Sequence, residues 1–363
     1  MKKILVKSQS GDYPVLIGKG ILRKTGEWMK ALGLRGKVMI VTQPAIDRLY
    51  GAKLRRSLAK SGYASQIHRV PPSELAKSQK ELFRLYTTLL RKGFERGDVI
   101  LALGGGVVGD LAGYAAATYL RGVPFVNVAT TLLAQVDSSI GGKTAIDLPE
   151  GKNLAGAFYP PRLVVSDVSV LKTLPVREYR SSLAEVVKYG VIRDLSLFRL
   201  LETSSLKIFR RDAALLEKIV FISAAIKASV VGRDEYETKK ERVILNFGHT
   251  FAHGFEQAAG YTKLMHGEAV AAGMVCAARL ARKLGVFSDP EISRLEKLLW
   301  VLGLPISLGR LRLSPGKILA AMNRDKKKRG GQLRFVLPLK IGKVTLKGGV
   351  AQSLVRDTIM SAN

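Results

Sequence analysis

Short apolar runs alternate with amphipathic stretches through the first half of the chain. The start, Met1–Lys7, has a basic beginning and a short apolar run, reads as a first strand and lacks the long apolar core of a signal peptide. Lys37–Thr42 (KVMIVT) is an unbroken apolar run, the mark of a strand buried on both faces. The basic amphipathic stretch from Ala45 to about Ser61 predicts a helix, and Ala64–Val70 a second strand. Pro71-Pro72-Ser73 then breaks the chain and offers Ser73 as an N-cap, with Glu74 and Lys77 in the first turn of a helix to about Lys92. Asp98–Leu103 (DVILAL) is the clearest strand, followed by Val126–Thr131 and Leu163–Asp167. Strands and helices in alternation predict an α/β domain: a parallel sheet with helices on both faces.

Beyond Leu174-Pro175 the period changes. Arg177–Leu201, Leu206–Val231 and Ala269–Leu284 carry apolar residues at helical spacing. Near the end, Leu333–Leu337 and Lys343–Leu346 flank Pro338 and Gly342 and predict a small hairpin. A chain of 363 residues suits two domains, divided here into 1–174 and a mainly helical 175–363. Cys276 is the single cysteine, so no internal disulfide forms, which fits a reducing, cytoplasmic setting. The longest apolar region, Val99–Leu120, is interrupted by five glycines and Asp110, a poor membrane span.

Charge alters this picture. The formal net charge is +30, and such a field attracts anions. The lysines and arginines are spread along the whole chain, not gathered in a tail or on one helix; the densest run, Arg324–Arg329, is short. The pattern favours an anionic small molecule over nucleic acid.

Several stretches carry candidate chemistry. Gly104-Gly105-Gly106-Val107-Val108-Gly109-Asp110 joins the clearest strand to a helix-like run, where glycines let backbone N–H groups approach a phosphate. It departs from the usual dinucleotide fingerprint, because the next acidic residue after Asp110 is Asp137. Thr130-Thr131, Asp137–Thr144 (DSSIGGKT) and Gly151-Lys152-Asn153 combine hydroxyls, glycines and lysines without forming a P-loop. Most informative is Asn246–Glu256 (NFGHTFAHGFE) with His266-Gly267-Glu268, which hold three of the four histidines. On a helix, His249, His253 and Asn246 share one face, and such a cluster suits a divalent metal. Glu185 and Lys188 are three apart on a predicted helix, a salt bridge at the least.

Taken together, Gly104–Asp110, Gly113–Gly122 (GYAAATYLRG), Asp137–Thr144, Gly151–Phe158 (GKNLAGAF), Glu185–Ile192 (EVVKYGVI), Asn246–Glu256 and His266–Glu268 resemble the 3-dehydroquinate synthases, over essentially the full length. The resemblance implies a Rossmann-like nucleotide-binding domain, a mainly helical second domain and an active site between them. It implies NAD as cofactor and a divalent metal, zinc or cobalt, on Glu185, His249 and His266. Lys143, Lys188, Arg242, Asn246, His253 and, after Asp325, one of Lys326, Lys327 and Lys328 match substrate positions. Arg121 matches a phosphate-contacting residue that crosses a homodimer interface. Glu74, Lys77, Gly105, Gly106, Val107, Asp110, Thr130, Thr131, Asp137, Lys143 and Lys152 match cofactor positions. The implied substrate is 3-deoxy-D-arabino-heptulosonate 7-phosphate, converted to 3-dehydroquinate and phosphate in aromatic amino acid biosynthesis, with transient oxidation by NAD. Two departures stand out: Thr42-Gln43-Pro44-Ala45 replaces a stretch with Asp or Asn, and Ala252 stands where many members have Gly. The rival readings are a cyclase acting on another sugar phosphate and a metal-dependent polyol or glycerol-phosphate dehydrogenase.

Overall fold

Burial on two faces builds the first half. In this computed structural model the described residues are 1–328 and 333–361, and the side chains of 324–328 lie outside them. Nine strands occur before residue 174: β1 (Lys2–Val6), β2 (Tyr13–Gly18), β3 (Val38–Thr42), β4 (Ser65–Arg69), β5 (Val99–Gly104), β6 (Phe125–Ala129), β7 (Lys143–Leu148), β8 (Gly151–Phe158) and β9 (Leu163–Asp167). Seven of them form one sheet in the order β1-β2-β9-β6-β5-β3-β4. Every pairing is parallel except β1 with β2 at the edge.

The inner strands β3, β5, β6 and β9 are buried at every position. Alternate residues go to opposite faces. Met39, Val41, Ile100 and Ala102 pack with the helices Gln79–Arg91 and Gly106–Thr118. Val38, Ile40, Leu101 and Leu103 pack with Met29, Leu54 and Leu58 on the other side. The strand order reverses between β3 and β5, which pair through Thr42 and Leu103. The carboxyl ends of strands at such a switch point are where open α/β sheets bind ligands.

Two compact units emerge, Met1–Leu174 with Ala213–Tyr236, and Pro175–Asp212 with Glu237–Asn363. The helix Ala213–Arg233 therefore returns to the first unit and departs from the expected division at 175–363. It packs so closely on the first strand that a Cβ at Gly232 would lie 3.2 Å from Lys7 Cβ. Glu235 then latches the β1–β2 turn, accepting from Ser8 Oγ and the Gln9 N–H, each at 2.8 Å. A linear reading of periodicity has no signal for such a return.

Other differences are local. Ser73 has φ 68° and begins a short 3-10 turn; the helix proper starts at Gln79, where Ser78 Oγ accepts from the Glu81 N–H. Lys143-Thr144 and Gly151-Lys152-Asn153, grouped above only for their glycines, hydroxyls and lysines, lie in the antiparallel hairpin β7–β8. It lies tightly on Gly106–Thr118, since a Cβ at Gly113 would meet Thr144 Cγ2 at 2.3 Å. The helical run from 206 breaks at Arg211, where φ is 52°.

The second unit is helical around Val176–Ile192, whose residues Ser181 to Ile192 are all buried. Beside it lie the helices His249–Ala258 and His266–Lys283. The expected hairpin is present as β10 (Arg334–Lys340) and β11 (Lys343–Gly348).

Candidate active site

In the first unit the glycine turn closes β5 and opens the Gly106–Thr118 helix, with Gly105 as N-cap and no side-chain cap. Its first N–H groups are thus left to an outside acceptor. Space is tight around them: a Cβ at Gly105 would meet Thr131 Cγ2 at 2.8 Å, and one at Gly106 would meet Ser138 Oγ at 3.0 Å. Among the described residues, the buried hydroxyls Thr130 Oγ1 and Ser138 Oγ have no hydrogen-bond partner. Orphaned hydroxyls beside an open helix N-terminus at the sheet's switch point fit a phosphate-bearing nucleotide.

A charged cluster sits next to this turn. Lys77 is only 4% exposed, and its Nζ donates to Asp110 Oδ2 at 2.8 Å and to Asn153 Oδ1. Glu74 lies 3.7 Å from Lys77 Nζ and 3.8 Å from Lys152 Nζ. Burial pushes the Asp110 carboxyl up to about 6, against the pull of Lys77. Burial lowers the Lys77 pKa, but Asp110, Glu74 and Asp147 outweigh it and hold the net shift upward. The fold thus draws Glu74, Lys77, Asp110 and Lys152 into one group. Asp137 is engaged by Lys227 Nζ at 2.8 Å. Lys227, buried on the returning helix, went unnoticed in the sequence because that helix reads as a uniform apolar element.

In the second unit the metal-type residues converge. Glu185, His249 and His266 each offer a ligand atom, and these atoms lie within 4.8 Å of one another. Glu185 Oε1 is 3.5 Å from His249 Nε2 and 3.6 Å from His266 Nε2. Tetrahedral ligands at zinc distances are about 3.4 Å apart, so the spacing fits. Each imidazole is oriented by its other nitrogen. His249 Nδ1 faces the Phe247 carbonyl at 3.2 Å, and His266 Nδ1 faces Glu256 Oε1 at 3.2 Å. Placing the proton on Nδ1 in both rings leaves Nε2 lone pairs for a cation. Burial, then Lys188, drives the His249 pKa well below the ordinary 6.5. Burial opposes charge on His266 too, but hydrogen bonds to Glu185 and Glu256 raise it to about 10.

Two glycines permit this convergence. A Cβ at Gly267 would stand 1.8 Å from the Ser181 carbonyl oxygen, and one at Gly273 2.2 Å from the Gly248 carbonyl oxygen. The His266–Lys283 helix therefore approaches both neighbours at backbone contact, one turn from Glu185. Lys188 Nζ contacts Glu185 Oε2, with the side chains 2% and 1% exposed, so this is a buried pair and not a surface salt bridge.

The other expected residues are placed as follows. Arg242 is 2% exposed, and its Nε lies 3.4 Å from Glu237 Oε1. Asn246 ends a 3-10 turn, and Gly248 at φ 81° separates it from the helix that begins at His249. It does not share a helix face with the histidines, as the spacing had suggested. His253 is exposed, its ring edge-on to His249 at 5.8 Å between centroids. In the first unit, Lys143 opens β7, and exposed Arg121 follows Leu120 with φ 66° and 49°. Val107 is half-buried in the helix's first turn. The side chains of Lys326 and Lys327 lie outside the described residues.

Comparison with known proteins agrees with this geometry. Residues 67–181 match the family described as 3-dehydroquinate synthase N-terminal, and residues 182–328 match 3-dehydroquinate synthase C-terminal. The chain is 47% identical over 355 residues to the 3-dehydroquinate synthase of Pelobacter propionicus, covering 98% of both chains. Among solved structures it resembles a 2-epi-5-epi-valiolone synthase from Streptomyces hygroscopicus subsp. jinggangensis 5008 with NAD+ and Zn2+ bound, at TM-score 0.88, 28% identity and 96% coverage of both chains. It equally resembles a 2-deoxy-scyllo-inosose synthase complexed with carbaglucose-6-phosphate, NAD+ and Co2+, at TM-score 0.88, 26% identity and full coverage of both.

Proposed function

The chain belongs to the 3-dehydroquinate synthase family, and from that premise we propose that Glu185, His249 and His266 hold its catalytic metal while the Gly104–Asp110 turn holds NAD. The activity is that of a 3-dehydroquinate synthase, a lyase that eliminates phosphate from 3-deoxy-D-arabino-heptulosonate 7-phosphate and closes the carbocycle. NAD and a divalent cation, both found in the solved cyclases, would supply reversible hydride exchange and polarisation of the reacting hydroxyl. Zinc or cobalt suits one carboxylate and two imidazoles, with positions left for substrate oxygens.

The chain's own groups divide the remaining work. Lys188, buried beside Glu185, presents a fixed ammonium to substrate oxygens next to the metal. Arg242, with Nε 3.4 Å from Glu237 Oε1, is a buried guanidinium suited to a carboxylate or phosphate. Asn246, Lys143 and the lysines after Asp325 add donors. His253, exposed and edge-on to His249, is placed to move a proton at the developing oxyanion or the leaving phosphate. Glu74, Lys77, Asp110, Thr130, Thr131, Asp137 and Lys152 bind and orient NAD. Arg121 serves a second copy in a homodimer, and the enzyme works in the cytoplasm. The basic excess serves the anionic substrate, with no role in nucleic-acid binding. Among the described residues no helix is long and apolar enough to cross a membrane.

The observation that carries the metal assignment is the convergence of Glu185, His249 and His266. A cyclase for another sugar phosphate is less well supported, because the solved cyclases are 28% and 26% identical against 47% for the synthase relative. The test is His249→Ala, which should lose bound metal and turnover while keeping its helical circular dichroism. Retention of full metal content and activity would remove the assignment.

A further inference from the structure

The two imidazoles are oriented in different ways. His249 is 14% exposed and offers Nδ1 to a backbone carbonyl, Phe247 O. Its orienting partner is backbone, not a side chain. His266 is 37% exposed at the very start of its helix, and its Nδ1 meets a side chain, Glu256 Oε1, at 3.2 Å.

The backbone at His266 is well fixed. Glu268 Oε2 accepts from the Met265 N–H at 3.0 Å, and Arg177 grips the Glu268 carboxylate from Nε and Nη2, both at 2.8 Å. The Gly267 N–H donates to Ser181 Oγ at 3.1 Å. These contacts set where the Cα of His266 lies. None of them touches its ring. The ring itself meets two carboxylates, Glu185 Oε1 3.6 Å from Nε2 on the side of the shared site and Glu256 Oε1 at Nδ1 behind it.

We propose that Glu256 is the positioning residue for His266: it fixes the Nδ1–H tautomer, aims Nε2 at the shared site and makes the imidazole a stronger donor to the metal. Glu256 lies on the His249–Ala258 helix, two turns beyond the other histidine ligand. A single helix thereby supplies one ligand and orients a second. The general behaviour of carboxylates behind metal-bound histidines gives the magnitude, a loss of about 10–100-fold in metal affinity on removal.

This inference rests on the metal reading above, and the experiment separates the two. Apo-protein is titrated with Co2+ against a chromophoric chelator, and the Co2+-loaded protein is examined by proton NMR for exchangeable imidazole N–H signals shifted by the metal. Wild type should bind Co2+ and show two such signals. Glu256→Ala should bind about 10–100-fold more weakly and lose one signal to solvent exchange. Glu256→Gln, which keeps an acceptor without the charge, should fall between and serves if the alanine variant fails to fold. A merely structural role for Glu256 would lower the melting temperature of the apo-protein and leave both signals in place. Unchanged Co2+ affinity with both signals present, in whichever variant folds, overturns the proposal. Absence of Co2+ binding by wild type overturns the metal reading as well.

Discussion

Replacing Gly267 by alanine adds one methyl group and should abolish metal binding at the proposed Glu185, His249 and His266 site. The new Cβ would lie 1.8 Å from the Ser181 carbonyl oxygen and 2.5 Å from its carbonyl carbon. Ordinary contact needs roughly 3.4 Å, so the helices Val176–Ile192 and His266–Lys283 must part by about 1.5 Å. Ser181 lies one turn before Glu185, and Gly267 adjoins His266. The displacement therefore falls on the 3.6 Å gap between Glu185 Oε1 and His266 Nε2. Metal sites tolerate about 0.2 Å in their ligand distances, so affinity should drop by at least ~100-fold. Stability should respond far less. Overpacking costs about 1–3 kcal/mol, and loss of the Ser181 Oγ hydrogen bond about 1 kcal/mol. Alanine returns up to about 1 kcal/mol of helix propensity over glycine. The assay pairs Co2+ affinity by chelator competition with thermal unfolding in EDTA. The expected result is a folded protein, melting a few degrees lower, that no longer retains Co2+. Wild-type affinity in Gly267→Ala would refute the idea that this close approach builds the site.

Lys188→Met withdraws the cation from a carboxylate 1% exposed, so the apo-protein should lose about 3–5 kcal/mol and turnover should collapse, whereas exposed Lys60→Met changes little; equal effects in melting and turnover would contradict site-specific use. Lys77→Met should raise the apparent KM for NAD+ at least ~10-fold while Co2+ affinity stays constant, because Lys77 and the metal group belong to different units; an unchanged KM would detach the Lys77 cluster from the cofactor. His68, outside the active site, is buried, and burial first and Arg84 second pull its pKa from 6.5 to about 4. The native state thus resists its protonation, so its contribution is fully present above about pH 6.5 and is lost as pH falls toward 4, about 3 kcal/mol in all. Urea unfolding of His68→Gln should show a correspondingly flatter decline than wild type across that window, and parallel declines would contradict the reading.

What the sequence revealed depended on how each residue is buried. β3, β5, β6 and β9 were legible because burial on both faces leaves an unbroken apolar run. The hairpin β7–β8 was not, because six of the eight β8 residues are glycine, alanine or polar and its partner is a helix packed at Gly113. Histidine concentration pointed to the region where Glu185, His249 and His266 converge, yet helical spacing wrongly put Asn246 on the histidine face, since the left-handed Gly248 intervenes. Lys227 and Glu256 stayed hidden for a shared reason. Each acquires its meaning from a residue brought near by folding, Asp137 in one case and His266 in the other. The Ala213–Tyr236 segment was assigned to the second unit because chain order alone suggests it.

The central claim, that oxidation by NAD is transient and serves phosphate elimination, is tested by one paired measurement. The metal-loaded enzyme is mixed with 3-deoxy-D-arabino-heptulosonate 7-phosphate and NAD+, and released phosphate is followed together with the absorbance of reduced nicotinamide. The account predicts many turnovers of phosphate with no steady accumulation of NADH. NADH formed in step with consumed substrate would contradict it and make the protein a dehydrogenase.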